Sequence, residues 1–366
     1  MPSISSGTSS STLSDIHFGF WKDVRDRAHK LGRPIFTLAP MANVTDAAFR
    51  HIIATTSGMG TTSGGPDVLW TEFVSADGLC SAGREILLRD LAYDECERPI
   101  VAQLFSAHPE KMYQAARLVA ELGFDGLDIN MGCPDRSVEK QGAGAALIKD
   151  LALAKEIITA ARAGVAEIAK HVEPIPVSVK TRLGYNKVDI EGWLGFLLEQ
   201  NLPVLIVHLR TRKEMSDVPA HWELLPEIVK LRDKMQADRS PAERTIILGN
   251  GDLANLADAR TKAMKSGADG VMFGRAIFGN PWLFKDSNQK SISSLIPIHE
   301  RLRVMVEHTF LFEKLLGDIK SFAIMKKHYK AYISGWDGAK ELRMRLMEAQ
   351  SANEVADIVE RYLKNS

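Results

Sequence analysis

The stretch Asp128-Ile129-Asn130-Met131-Gly132-Cys133-Pro134 ends an apolar run that starts at Phe124, and it passes into a polar, glycine-rich loop reaching Gly144. A thiol at the carboxyl end of a buried strand has a rigid support yet faces a pocket built from loops. Four roles are open to Cys133: nucleophile paired with a histidine such as His208, metal ligand, small buried hydrophobe, or proton donor. No neighbouring residue gives His/Cys ligand spacing, so no metal site is expected there. The favoured role is proton donation to carbon, because a thiol with an ordinary pKa of roughly 8.5 is mostly protonated at neutral pH and can still release its proton.

Other polar residues also stand at the ends of apolar runs: Gln103, Asn130, Lys180, Arg182, His208, Arg210, Asn250, Asp252 and Arg275. The last two loops hold Gly249-Asn250-Gly251 and Gly274-Arg275, where the chain can approach a ligand closely and backbone N–H groups can hold a phosphate. A phosphorylated cofactor is therefore expected, with its ring over the site. An isoalloxazine suits this inventory. Lys180 places positive charge beside its reduced pyrimidine side, Gln103 bonds the ring edge, and Pro40, Met41 and Ala42 pack against it and lend backbone contacts. His208 and Lys180 also have plainer readings, as a satisfied histidine and as one half of an ion pair.

These positions converge only if the runs are strands of one barrel. Eight short apolar runs are expected as strands: Ile35–Ala39, Val68–Phe73, Pro99–Leu104, Phe124–Asn130, Pro176–Lys180, Val204–His208, Thr245–Gly249 and Gly270–Phe273. Helical patterns alternate with them, from the Thr45-Asp46 cap through Pro109–Leu122 and Leu151–His171 to Leu253–Ser266. Strands apolar on both faces are buried on both faces, as parallel strands are, and eight such units close into an α/β (β/α)8 TIM barrel. An open doubly wound sheet would call for a phosphate-binding glycine loop after the first strand, where Pro40-Met41-Ala42-Asn43 stands instead.

From Ile298 onward no strand pattern remains, and amphipathic helices are expected over Val304–Tyr332 and Ala339–Leu363. The expected division is a disordered Ser/Thr-rich tail over 1–14, a barrel with an amphipathic lead-in over 15–290, and a helical domain over 291–366. The tail lacks the basic start and apolar core of a secretion signal. No stretch approaches the roughly 18 apolar residues of a membrane span. Three cysteines in an odd, dispersed set speak for a reducing compartment, and Cys80 and Cys96 read as packing residues. With 46 basic and 46 acidic residues the chain exerts no global pull on nucleic acid, so any polyanion site must be local. Lys314–Arg345 supplies one, with eight Lys or Arg against three Asp or Glu, a net of plus five (8 − 3).

The motifs together resemble the flavin-dependent tRNA-dihydrouridine synthases. The likeness is carried by Pro40 to Asp46, Thr71-Glu72-Phe73-Val74-Ser75-Ala76, Asn130-Met131-Gly132-Cys133-Pro134, Lys180-Thr181-Arg182, His208-Leu209-Arg210-Thr211-Arg212, Gly249-Asn250-Gly251-Asp252, and Gly274-Arg275 through Trp282. Met325-Lys326-Lys327-His328-Tyr329 and Gly338 to Met347 resemble the family's RNA-binding segment. The resemblance implies an FMN-containing barrel and a helical domain that holds tRNA, with NADPH as a transient reductant. Carried over, Cys133 is the acid that protonates C5 of a uracil while reduced flavin delivers hydride to C6. Pro40, Met41, Ala42, Gln103, Lys180 and His208 are flavin contacts, and Asn250, Gly251, Gly274 and Arg275 hold the FMN phosphate. Asn130, Arg182 and Arg210 meet the substrate, with Lys326, Lys327 and Arg343 on the RNA. A monomer in the cytoplasm is expected. The alternative is an FMN-dependent barrel reductase acting on a free small molecule, and a second is an RNA-binding protein without catalysis. Leu209 stands where the family has glycine and Arg136 where it has lysine.

Overall fold

The apolar runs form eight parallel strands: β1 Ile35–Leu38, β2 Leu69–Ser75, β3 Ile100–Phe105, β4 Gly126–Met131, β5 Val177–Arg182, β6 Val204–His208, β7 Ile246–Asn250 and β8 Gly270–Phe273. In the computed structural model, which describes residues 16–61, 64–169, 173–285 and 296–364, each strand pairs with its sequence neighbour, and β8 returns to β1 through Ile35↔Gly270 to Leu38↔Phe273. A parallel bridge between Thr37 and Val68 joins β1 to β2, so the sheet closes on itself as a (β/α)8 barrel. The tail over 1–14, the final residues of the helix expected to reach His171, and the boundary at 290 and 291 lie outside the described residues, as do residues 62 and 63.

Among the described residues fourteen α-helices follow in order: α1 Trp21–Lys30, α2 Ala47–Ser57, α3 Ala76–Leu79, α4 Arg84–Asp90, α5 Pro109–Glu121, α6 Arg136–Glu139, α7 Leu151–Ile168, α8 Gly195–Glu199, α9 Leu225–Met235, α10 Leu256–Ser266, α11 Ile298–Leu316, α12 Ala323–Tyr332, α13 Ala339–Glu348 and α14 Ala352–Lys364. Their starts follow local chemistry. Asp46, Asp150 and Asn255 accept backbone N–H bonds from Phe49, Leu153 and Asp258 and so satisfy otherwise unpaired first-turn donors. Gly164 lets α7 lie against α5, since a Cβ there would stand 2.3 Å from the Tyr113 carbonyl oxygen.

Two cores result. Inside the barrel, Ile35, Val68, Trp70, Val101, Val204, Ile206, Ile246, Leu248 and Met272 pack together, and α1 stoppers one end with Trp21, Val24 and Ala28. The second core lies between strands and outer helices and runs without a break into α11 to α14. Arg50, fully buried on α2, donates to Glu97 Oε2 at 2.6 Å and to the Thr45 carbonyl at 2.8 Å, tying α2 to the entry of β3. Removing either partner of such a pair would strand a buried charge at a cost of about 3–5 kcal/mol.

Two expectations about the helices change. The single helix read over Val304–Tyr332 is two, because Gly317 ends α11 and a turn runs to Phe322. Ala339–Leu363 divides likewise at Ala349–Ser351, where the Gln350 N–H donates to Glu354 and the Ser351 hydroxyl accepts from the Glu354 N–H, a reciprocal cap. After Asp189 the chain enters a π-helical turn, Ile190–Leu194, before α8.

Candidate active site

β4 to β8 deliver the chemistry to one mouth. Asn130 pairs in register with Lys180, Arg182 with His208, and His208 with Asn250. β5 extends two residues beyond the expected Lys180, so Thr181 and Arg182 are strand residues. A cavity of about 520 Å3 opens there, lined by Ala39, Pro40 and Met41 on one side, Lys180, His208 and Arg210 beneath, and Asn250 to Ala254 with Gly274 and Arg275 on the other. That volume lies within the roughly 300–1,000 Å3 of small-molecule sites. Ser216, from the loop after β6, joins the wall and carries no sequence signal that singles it out.

The base of the site is a chain of buried hydrogen bonds. Ser178 donates to Asp128 Oδ1 at 2.5 Å, and Gln103 Nε2 donates to Asp128 Oδ2 at 2.6 Å. This fixes the Gln103 amide so that its oxygen accepts from Asn130 Nδ2 at 3.0 Å. The Asn130 oxygen in turn accepts from the backbone N–H of Gly132 at 3.1 Å and of Cys133 at 2.9 Å. Asp128 and Ser178 therefore position the thiol through two amides, and neither is evident from sequence, where both read as interior strand residues. Burial pushes the Asp128 carboxyl up to about 6 despite these two bonds.

Cys133 is half-buried against Phe105, Val138 and Ala143. It stands on the β4 loop outside the cavity wall proper. Burial raises its pKa, while Lys180 and Arg182 pull weakly the other way, so the sulfur is a thiol at neutral pH. Lys180 is held down to about 8 by burial first and by Arg182 second. Burial, then the surrounding cations, holds His208 well below its usual range, and Arg210 Nη1 lies 3.0 Å from its Nε2. The arginine must be the donor, so His208 is neutral with its proton on Nδ1.

The two arginines expected at the substrate are committed elsewhere. Arg182 donates to the carbonyls of Gly132, Thr211 and Met215 at 2.8, 3.0 and 2.9 Å, joining the loops after β4 and β6. Arg210 holds His208, the Val218 carbonyl at 2.6 Å and Asp252. Asp252, held at about 2 chiefly by the Arg210 hydrogen bond, also takes Arg275 Nη2 at 2.7 Å. Asn250 Nδ2 donates to the Met272 carbonyl at 2.7 Å. Gly251, at φ +133°, crosses the floor where a Cβ would stand 2.7 Å from Ala220. Pro40 and Met41 wall the cavity and Ala42 is exposed beyond it, but the Met41 N–H already donates to Thr45 Oγ1 at 2.8 Å, which removes one of the expected backbone contacts. Leu209 is fully buried, its side chain in the outer core rather than at the mouth.

On the helical side, Lys326 and Lys327 stand on α12, and Arg343 on α13 donates to the Ile333 carbonyl at 3.3 Å. Cys96, read as packing, does pack on the outer core, but its sulfur also lies 3.6 Å from His51 Nδ1 with Asp94 nearby.

The donor set fits a phosphorylated flavin: one half-buried lysine, a neutral histidine, a Pro-Met wall, and two close-approach loops ending in an arginine. A closed parallel barrel with such a set at its carboxyl mouth defines a TIM-barrel enzyme. The family model described as "Dihydrouridine synthase (Dus)" matches residues 37–366. "Probable tRNA-dihydrouridine synthase 2" of Bacillus subtilis (strain 168) is 39% identical over 347 residues, 93% of this chain and 95% of that protein. "Probable tRNA-dihydrouridine synthase" of Staphylococcus aureus (strain COL) is 38% identical over 346 residues, covering 94% and 95%. Among solved structures, histamine dehydrogenase from Rhizobium sp. 4-9 aligns with a TM-score of 0.50 at 11% identity, over 82% of this chain and 50% of that one, a likeness of fold alone. The chain belongs to the dihydrouridine synthase family, a family of oxidoreductases.

Proposed function

We propose that this protein reduces the C5=C6 bond of a uridine in tRNA to dihydrouridine, with FMN in the 520 Å3 cavity and NADPH as reductant. The observation that carries the reading is Cys133, a protonated thiol within electrostatic reach of Lys180, beside a cavity lined by Lys180 and His208 on adjacent strands. FMN, when bound, supplies the hydride that the chain's own residues cannot. Pro40 and Met41 would pack on the ring, Lys180 would meet its pyrimidine edge, His208 would offer a neutral imidazole, and Asn250, Gly251, Gly274 and Arg275 would hold the phosphate; Gln103, fully buried on β3 and outside the cavity lining, would act through Asn130 instead. Cys133 gives its proton to C5. The carbonyls that Arg182 holds keep the thiol's loop against the loop after β6.

A stacked uracil cannot reach this mouth, so the base must leave its helix at a cost of a few kcal/mol. Backbone contacts from α12 and α13, through Lys326, Lys327 and Arg343, offset that cost. In this reading the barrel over 15–290 does the chemistry, 291–366 holds the RNA, and Asn130 meets the base with its remaining amide hydrogen. No described helix is long and apolar enough to cross a membrane, and the proposed setting is the cytoplasm, where tRNA is found.

The test is incubation with unmodified tRNA and NADPH, then digestion and nucleoside analysis. Dihydrouridine at a defined position is expected. A flavin-loaded protein that leaves every tRNA unreduced, yet rapidly reduces a free enone or pyrimidine, would favour the small-molecule reductase instead.

A further inference from the structure

The turn that walls the cavity is gripped from the helical segment. Pro40 to Asn43 leaves β1, turns at Asn43 with φ +54°, and enters α2. A left-handed asparagine is strained and persists only where neighbours hold it. What holds it is Glu72, on β2 at the point where its register with β3 shifts, whose Oε1 accepts the Asn43 backbone N–H. The other Glu72 oxygen forms a salt bridge with Lys320 Nζ, which also lies 2.7 Å from Asp90. Lys320 belongs to the turn between α11 and α12, the same α12 that carries Lys326 and Lys327. Both groups of the bridge are nearly buried, with 12% and 7% of their side-chain surface exposed, so their attraction is little screened.

Asp46 sharpens the need for that cation. It is 1% exposed, caps α2 through one oxygen, and has no hydrogen-bond partner for Oδ2 among the described residues. Its charge faces Glu72, and burial together with Glu72 pushes its carboxyl up to about 7. Two buried carboxyl groups behind one turn require a positive partner, and the barrel takes it from the helical segment.

We propose that Lys320 is a positioning residue: through Glu72 and the Asn43 amide it sets the Pro40–Asn43 turn, so that the RNA-facing helices and the flavin cavity share one element. The cofactor part rests on the function proposed above; the mechanical part does not. When RNA settles on α12, the adjacent turn carries the change to the wall of Pro40 and Met41. Lys320 touches neither cofactor nor base.

Hydrogen exchange on cofactor-free protein isolates the mechanical claim. Lys320→Met should speed exchange of the Asn43 amide by about tenfold or more, while Lys320→Arg restores protection. Arg89→Met is the control. It breaks another link between the same two parts, Arg89 to Asp318 at 3.0 Å, without reaching the turn, so Asn43 protection should stay as in the parent. Lys320→Met should also bind FMN about tenfold more weakly and lose any change in flavin absorbance on adding tRNA. Should Lys320→Met not fold, Glu72→Gln gives the same reading, since its amide oxygen still accepts from Asn43 while the charge pairing is gone. Unchanged Asn43 exchange in the variant that folds, or equal effects of the Lys320 and Arg89 variants, overturns the proposal. A parent protein that binds no FMN overturns the functional reading and the cofactor part, and leaves the exchange result to decide the rest.

Discussion

Cys133→Ala is expected to bind FMN and oxidise NADPH as the parent does, while its rate of dihydrouridine formation falls by roughly 10²–10⁴-fold. The separation follows from geometry. The cysteine side chain lies outside the wall of the flavin cavity, whose lining comes from β1, β5, β6, β7 and β8. What Asn130 holds is the backbone N–H of residue 133, which alanine keeps. Only the proton source is removed. Because burial raises the thiol pKa, the parent should retain its proton-donating form through neutral pH and lose it in the alkaline range. Flavin absorbance near 450 nm and nucleoside analysis of the same sample check the prediction. Loss of flavin along with activity would make Cys133 a packing residue of the Phe105, Val138 and Ala143 cluster.

Mild acid should loosen the joint between barrel and helices. His308 on α11 and His328 on α12 are fully buried, 4.7 Å apart between ring centroids, and sandwiched with Phe49 of α2. None of their four ring nitrogens has a hydrogen-bond partner among the described residues. Burial holds both below the ordinary histidine range, His328 at about 3. The unfolded chain takes up a proton below about pH 6.5 and the folded chain does not, so stability is full above that pH and declines as pH falls toward 3. His328 alone should cost about 2 kcal/mol between pH 7 and pH 5. Urea midpoints at the two pH values measure this. A His308→Leu, His328→Leu double variant should show a markedly flatter dependence, and an equal fall in variant and parent would place the acid sensitivity elsewhere.

The barrel was legible because its strands are apolar on both faces and lie at regular spacing, a signal that burial imposes directly. The carboxyl ends were legible for the same reason: Lys180, His208 and Asn250 are conspicuous where an apolar run stops. What the residues would do there was less legible. Arg182 and Arg210 read as free to meet a substrate, yet their donors go to carbonyls of Thr211, Met215 and Val218, supplied by a loop whose path no local pattern dictates. Asp128 and Ser178 look like ordinary strand residues because their role depends on Gln103, one strand over. Glu72 and Lys320, 248 positions apart, meet only in the folded chain. The break at Gly317 was hidden by apolar spacing that continues across it, one helix ending and another beginning on the same buried side.

The most direct test of the central claim is anaerobic mixing of the NADPH-reduced, flavin-loaded protein with unmodified tRNA. Flavin absorbance should return in step with dihydrouridine, one ring reduced per flavin oxidised, in the parent but not in Cys133→Ala. Flavin that stays reduced in the presence of tRNA, or that reoxidises equally fast with Cys133 removed, contradicts it.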